Sequence, residues 1–385
     1  MLALNPKRTV ALDIGSSTVK AVQLRRIGRV YELERLGFAE IYPSMDAKLN
    51  AAERRDAKIE AIRQALSDGD ISAKFAVSAV SGESIIVRYI QLPEMPENEL
   101  EGAVRWEAED YIPFPLDEVN MDWSVLGRTE GGEQNKIDLI LVAVKKDLIA
   151  DHIELLKSLD LQPAIVDVNS FAFLNCYELN YMPPPTDVVA LLDIGAEISS
   201  ISIYHNGYPR FSRDIAIAGD TVTTSIQQRV GCSYQRAEEL KQKEGLPAPA
   251  PDDLDTEFSG DTSLLDTIRG TVERITGESL TEETPEFVAS TVIKRIFLNL
   301  AQEVKRSLQF FENQTGKSVQ KLVIGGGTSQ TRNLPEFLGG ELGIPVELMD
   351  PLRSVGMSHL DKQKVERVRS QIGVAIGLGL RVFDE

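Results

Sequence analysis

Apolar positions fall in short runs along this chain, and their period separates strands from helices. Residues 10–24 read VALDIGSSTVKAVQL, and residues 189–203 read VALLDIGAEISSISI. Each opens with a continuous apolar run, reaches Asp-Ile-Gly and continues with alternating apolar and polar positions. These are strand patterns, so each unit predicts a β-hairpin with Asp-x-Gly at its turn. Asp13 and Asp193 stand 180 residues apart in a chain of 385. An echo at half the chain length predicts two similar halves facing each other.

Between the echoes, residues 56–66 place Ile59, Ile62, Ala65 and Leu66 on one helical stripe ahead of the strand KFAVSAV. An inserted module is expected over about 81–150. It comprises the strand IIVRYIQLP, the helix ENELEGAVRWEAEDYI, a strand over 121–126 and the strand KIDLILVAV, with Gly131-Gly132 as a hairpin loop. In that helix Leu100, Val104, Ala108 and Tyr111 share a stripe, with acidic residues opposite. A helix over 146–159, the strand PAIVDVN and a helix over 170–179 lead to Met182-Pro183-Pro184-Pro185. Prolines cannot continue a helix, so this run reads as the hinge between halves 1–185 and 186–385. The second half continues through FSRDIAIAGDTVTTSI, a helix at 237–241, a helix over 288–313, the strand KLVIGGGTSQ and a helix over 333–342. A Gly-rich helix with Gly373, Gly377 and Gly379 closes it.

Charge narrows the function classes. Lys and Arg number 41 against 59 Asp and Glu, a net charge of -18, which excludes coating nucleic acid or an anionic membrane through bulk charge. Residues 249–290 hold eleven of those acids against two basic residues and read as a solvated acidic insertion, with at most a helix near 263–276. Cys176 and Cys232 form no Cys-x-x-Cys pair, and His152, His205 and His359 are isolated, so no zinc cluster is expected. The N-terminus lacks a signal peptide's apolar core, and the apolar run 372–380 is shorter than the ~18 residues that span a bilayer. A cytoplasmic protein without membrane insertion is the expectation.

The chemistry gathers at the hairpins. Gly15, with the hydroxyls of Ser16, Ser17 and Thr18 and the ammonium of Lys20, suits phosphate oxygens that need close backbone approach and a cation. Asp13 and Asp193, presented from facing hairpins, suit a magnesium ion that keeps most of its waters. The strand ending in Gly325-Gly326-Gly327 lets backbone press against a flat ring. Gly219 opens a helix whose N-terminus would face a phosphate. Glu238 and Lys241 share a helix face and would reach a ribose, or form a solvated pair. No Walker A loop is present.

The order of hairpin, strand bearing Asp167, second hairpin, Gly-Gly-Gly strand and Gly-rich helix resembles the actin-like ATPase superfamily, which includes actin, DnaK-type chaperones, sugar kinases and FtsA. The resemblance implies an α/β, two-domain actin-like (ribonuclease H-like) ATPase fold with ATP and Mg as cofactors. It makes residues 13–20 the first phosphate loop, Asp193 and Gly195 the second, Asp167 the first connecting segment and residues 325–327 the adenosine motif. The stretch 99–127, ELEGAVRWEAEDYIPFPLDEVNMDWSVLG, looks like the type IV pilus assembly protein PilM family, with its inserted α/β subdomain. This implies a cytoplasmic ATP-binding adaptor, peripheral to the inner membrane. It would receive the N-terminal segment of a PilN-like protein beside the inserted subdomain, and connect through PilN and PilO to the pilus motor. A homo-oligomer or ring stays open. Glu197 departs from the superfamily's preference for small residues at the second loop, and the acidic insertion is no part of the pattern.

Two function classes follow. One is a nucleotide-set adaptor, whose partner groove would draw on Ile86, Val87, Tyr89, Val104 and Tyr111, or leave them as the module's own core. The other is a small-molecule (sugar-type) kinase, in which Asp167 activates a hydroxyl or a water.

Overall fold

The computed structural model describes residues 4–41, 50–82, 84–129, 135–247 and 284–383. The loop at Gly131-Gly132 and most of the acidic stretch, including the helix expected near 263–276, lie outside the described residues.

The first hairpin is β1 (Thr9–Ile14) and β2 (Thr18–Ile27), with Asp13 directly opposite Lys20. A third strand, β3 (Val30–Glu40), extends it. Its charged YELER sequence hides the alternation, and a register shift at Gln23/Leu24 breaks its pairing. Helix α1 (Ala51–Asp68) starts where Asn50 and Glu53 cap each other reciprocally, each side chain accepting the other's backbone N–H. Strand β4 (Phe75–Val80) then runs parallel to β1.

The inserted module is the three-stranded antiparallel sheet β5-β7-β6, formed by β5 (Ile85–Pro93), β6 (Val119–Thr129) and β7 (Lys136–Lys145). Helix α2 (Glu97–Tyr111) lays Leu100, Val104 and Ala108 on one face against Ile90, Leu92, Leu139 and Leu141. The opposite face turns Val87, Leu126 and Ile140 towards Phe171 and Tyr208. Of the two alternatives for the groove candidates, the module's own core takes most of them. Val104 and Val87 are core, while Ile86 and Tyr89 pack against the two faces of the sheet. Only Tyr111, 40% exposed, remains surface, and the neighbouring Trp106 is 71% exposed.

After α3 (Lys146–Lys157), β8 (Gln162–Val168) closes the first sheet, whose order ends β3-β2-β1-β4-β8. Helix α4 (Asn169–Tyr181) stops at Met182, which is left-handed at φ 43, just before the proline run. The second sheet repeats the first. Its hairpin is β9 (Val188–Ile194) with β10 (Ser199–His205), flanked by β11 (Tyr208–Ile215) on one side and by β12 (Lys321–Gly325), parallel to β9, on the other. Helices α5 (Gly219–Val230), α6 (Tyr234–Glu244) and α7 (Pro285–Thr315) share its core. Residues 285–290, expected in the insertion, form the first turns of α7, capped by Thr284. Helix α8 (Leu334–Leu342) leads to the edge strand β13 (Val346–Leu348).

The last segment returns to the first sheet. Strand β14 (Val355–Gly356) pairs with β3, and α9 (Lys362–Val368) precedes α10 (Gly373–Leu380), which crosses α4. Helices α4 and α10 share one core with residues of both hairpins, among them Val22, Leu24, Leu191 and Val189. Both sheets thus rest on the same helix pair. Among the described residues no helix is long and apolar enough to cross a membrane.

Asn180 fixes this base. Its amide donates to the carbonyls of Cys176 and Pro351, at 2.9 Å each, and its oxygen accepts from Ser354 N–H at 2.8 Å. Alanine there strands the carbonyl of the buried Pro351 and unpairs the N–H of Ser354, so Asn180→Ala is expected to lower stability by about 1–3 kcal/mol. Urea unfolding with an unchanged slope is the check.

Candidate functional site

The turns of the two hairpins face each other across a cavity of about 730 Å³. Its walls include Asp13, residues 15–18, Lys20, Asp193, Gly195 and Glu197. The turns are tight because Gly15 N–H donates to Thr18 O and Gly195 N–H to Ile198 O, each at 3.0 Å. Lys20 Nζ lies 3.2 Å from Asp13, and both side chains are about nine-tenths buried. Burial and the Asp13 charge, opposed by Lys20, push Asp193 up to about 7. Asp13 and Asp193 repel each other, with Lys20 as the cation that opposes them, and form a site short of positive charge. That donor set fits magnesium, which takes one or two carboxylates and completes its shell with water and phosphate oxygens. Among the described residues no group of three or more His, Cys, Asp or Glu is placed to hold a metal, so such an ion would depend on the phosphate.

The far wall comes from α5, α6 and the Gly-Gly-Gly turn. Glu238 and Lys241 line the cavity and are no solvated pair. Lys241 Nζ sits 2.7 Å from Glu238 and 2.9 Å from Thr223 Oγ1, and Thr223 donates to Glu238 at 2.7 Å. Burial pushes the Glu238 carboxyl up, but Lys241, Thr223 and Gln242 outweigh it and hold it below its ordinary value. Thr223 is one residue that sequence reasoning missed, because its partners lie on another helix.

Gly326 is required twice over. Its φ is +84, and a Cβ there would stand 2.5 Å from both Asp193 Oδ1 and Ile194 O. Gly327 also lines the cavity.

Three expectations are corrected. A Cβ on Gly325 would meet the Phe173 ring at 2.6 Å, so this glycine serves core packing and not the cavity. Gly219 lines the cavity, but its N–H donates to Gly195 O and that of Asp220 to Ala196 O, so the first amides of α5 are already used. Asp167 is turned away. It pairs in register with Ala79, and its carboxylate meets Arg381 at 3.1 Å, just past α10. Two residues later Asn169, the first residue of α4, lines the cavity in its place.

On the first-sheet wall His152 lies 2.8 Å from Ser78 Oγ, and burial beside Lys58 lowers it to about 4. Its titration opposes that of Asp193. Between about pH 4 and 6.5 the unfolded chain protonates His152 and the folded chain does not, so this group removes stability as pH falls. Between about pH 4 and 7 the folded chain keeps a proton on Asp193 that the unfolded chain has lost, so this group removes stability as pH rises. The two cancel across their common window. Relative to wild type, Asp193→Asn is expected to gain stability with rising pH there, and His152→Asn to lose it. Each slope approaches about 1.4 kcal/mol per pH unit. Parallel profiles from urea unfolding without magnesium would refute the pairing.

Comparison with known proteins gives this geometry relatives. The family profile of type IV pilus assembly protein PilM matches residues 11–269, and that of cell division protein FtsA matches residues 190–370. A solved structure of a PilM-PilN type IV pilus biogenesis complex is similar at 27% identity and a TM-score of 0.75, covering 98% of this chain and 99% of that one. FtsA of Staphylococcus epidermidis is 21% identical over 61% of this chain. The chain spans 54% of that relative's length. MreB 5 of Spiroplasma citri, bound to AMPPNP, aligns at 12% identity and a TM-score of 0.48, over 98% of this chain and 95% of that one. Matched by its profile over residues 11–269, and carrying the two-domain actin-like fold with its inserted module, the chain belongs to the type IV pilus assembly protein PilM family.

Proposed function

We propose that this chain is an ATP-binding adaptor of pilus assembly. It holds Mg-ATP between the two hairpins, and beside its inserted module takes the N-terminal segment of a PilN-like membrane protein, which links it to a PilO-containing complex and the pilus motor. The observation behind the nucleotide reading is the pair of facing Asp-x-Gly turns lining one cavity with Lys20, Lys241 and Gly326. The partner reading rests on the relative solved as a PilM-PilN complex, alike over nearly the whole chain.

In this reading Lys20 and the hydroxyls of Ser16, Ser17 and Thr18 neutralise and orient the phosphates. Asp13 and Asp193 hold the magnesium, which offsets the phosphate charge. Glu238, kept ionised by Lys241 and Thr223, accepts from a ribose hydroxyl. Gly326 and Gly327, which line the cavity, would lie against the adenosine. Asp167 is tied to Arg381, so the base of a kinase would have to be another group. Asn169 is a poor base, and the expected outcome is slow hydrolysis or none.

The test is the nucleotide recovered from purified protein after incubation with Mg-ATP and rapid removal of the free pool. Near-stoichiometric intact ATP is expected. Absence of nucleotide would overturn the reading, and ADP release that depends on an added sugar would favour a kinase instead.

A further inference from the structure

The edge strand β11 touches the first half of the chain at three successive points. Tyr208 packs against the apolar face of the inserted sheet, at Val87 and Ile140. Ser212 Oγ donates to Ser170 Oγ at 3.1 Å, one residue after the cavity-lining Asn169. Asp214 Oδ2 accepts from the backbone N–H of Gly82 at 2.8 Å. Gly82 lies three residues before β5 and so forms the root of the inserted module. Its φ of +117 suits glycine alone, although a Cβ would meet nothing nearer than Ile198 Cδ1 at 3.8 Å. The dihedral aims this N–H, and the aim is at Asp214.

The other oxygen of Asp214 faces the cavity side. Oδ1 accepts from Ser200 Oγ at 2.6 Å. Ser200 lines the cavity and is paired directly across the sheet with Asp193 on one side and Asp214 on the other. Cross-strand partners project on one face, so Asp193, Ser200 and Asp214 form a row that ends on the module's root. One carboxylate therefore holds both the hairpin of the second phosphate loop and the backbone at which the module joins the first sheet.

We propose that Asp214 is a coupling residue: it clamps the root of the inserted module to the hairpin bearing Asp193, so that ligand-driven closure of the cleft restrains the module. The proposal rests on the nucleotide reading above. A ligand touching both hairpins biases closure only through its differential affinity for the open and closed forms, and a contact formed across that boundary shares the bias. The clamp supplies such a contact where the module's motion begins.

Hydrogen exchange of the full chain, followed by mass spectrometry with and without Mg-ATP, reads the clamp in the segment 81–93, with calorimetry alongside. In wild type, Mg-ATP is expected to slow exchange there about fivefold or more. In Asp214→Ala the segment is expected to exchange about tenfold faster without nucleotide and to gain little protection at nucleotide concentrations that saturate the site. Asp214→Asn keeps an acceptor for Gly82 and is expected to recover much of the nucleotide response. Equal nucleotide protection in wild type and Asp214→Ala would overturn the coupling alone. So would wild type that binds nucleotide without protection in this segment, a result that needs no variant to fold. Absence of binding heat in wild type would overturn the nucleotide reading, and the coupling with it.

Discussion

Replacing Lys20 by alanine is expected to cost about 3–5 kcal/mol of stability and to abolish Mg-nucleotide binding. Lys20 is the cation 3.2 Å from Asp13, and neither side chain has more than a tenth of its surface in water. Asp13 sits near the end of a central strand with its side chain 8% exposed. Asp193 is close enough that the charge of Asp13 helps push it up to about 7. Without Lys20, the buried Asp13 would stand beside the repelling Asp193 with no counter-charge from this hairpin. Breaking one side of a buried pair costs far more than removing both sides. The double variant Lys20→Met with Asp13→Asn should therefore recover most of the lost stability. It should not recover nucleotide binding, because it lacks both the cation for phosphate and one carboxylate for the metal. Urea unfolding and calorimetry on the same preparations separate the two roles. A loss below about 1 kcal/mol in Lys20→Ala would show that the pair is solvated and the cleft more open than these contacts imply.

What sequence could and could not disclose follows from the range of each interaction. Asp13, Gly15 and Lys20 belong to one hairpin, so their meeting is set by local register and is legible in a single motif. The repetition of that hairpin 180 residues on carried the two-sheet architecture. The stripe of Leu100, Val104, Ala108 and Tyr111 predicts a buried face correctly except at Tyr111, which is 40% exposed, but a stripe does not say whether a partner or the module's own sheet covers it. Asp167 failed for a related reason. Strand periodicity gives two faces without labelling them, and only Arg381, 214 residues further on, identifies the face that Asp167 takes. The network of Thr223 with Glu238 and Lys241 depends on the crossing of α5 and α6. Local spacing showed the i,i+3 pair but not its burial. The same holds for Asp214 and Gly82, 132 residues apart and joined only by the way the sheets are mounted.

That mounting yields the other large expected effect. Gly377→Ala should destabilise the protein by about 3 kcal/mol or more, against a general gain of about 1 kcal/mol for Gly→Ala inside a helix. Gly377 lies where α10 crosses α4, and a Cβ there would stand 1.7 Å from the carbonyl oxygen of Ala172 and 2.5 Å from its carbon. Both obstacles are backbone, so no side chain can rotate aside and the helices must part. They have no free direction in which to do so. Gly373 is pressed by Phe173 and Gly379 by Leu24, at 2.9 and 2.8 Å from the positions their Cβ atoms would take. Phe173 in turn fills the space beside Gly325, at the end of β12 in the second sheet. Displacing α10 from α4 therefore disturbs the seat of both hairpins, and nucleotide affinity should fall along with stability. Gly102, in the middle of the exposed face of α2 with nothing within 4 Å of its Cβ position, is the control. Gly102→Ala should stabilise by about 0.5–1 kcal/mol and leave nucleotide affinity unchanged. Thermal and urea unfolding of the two variants should thus move in opposite directions for the same chemical change. Equal shifts would mean that the crossing of α4 and α10 is looser than the backbone contact requires, and that the two sheets are not seated on a common helix pair.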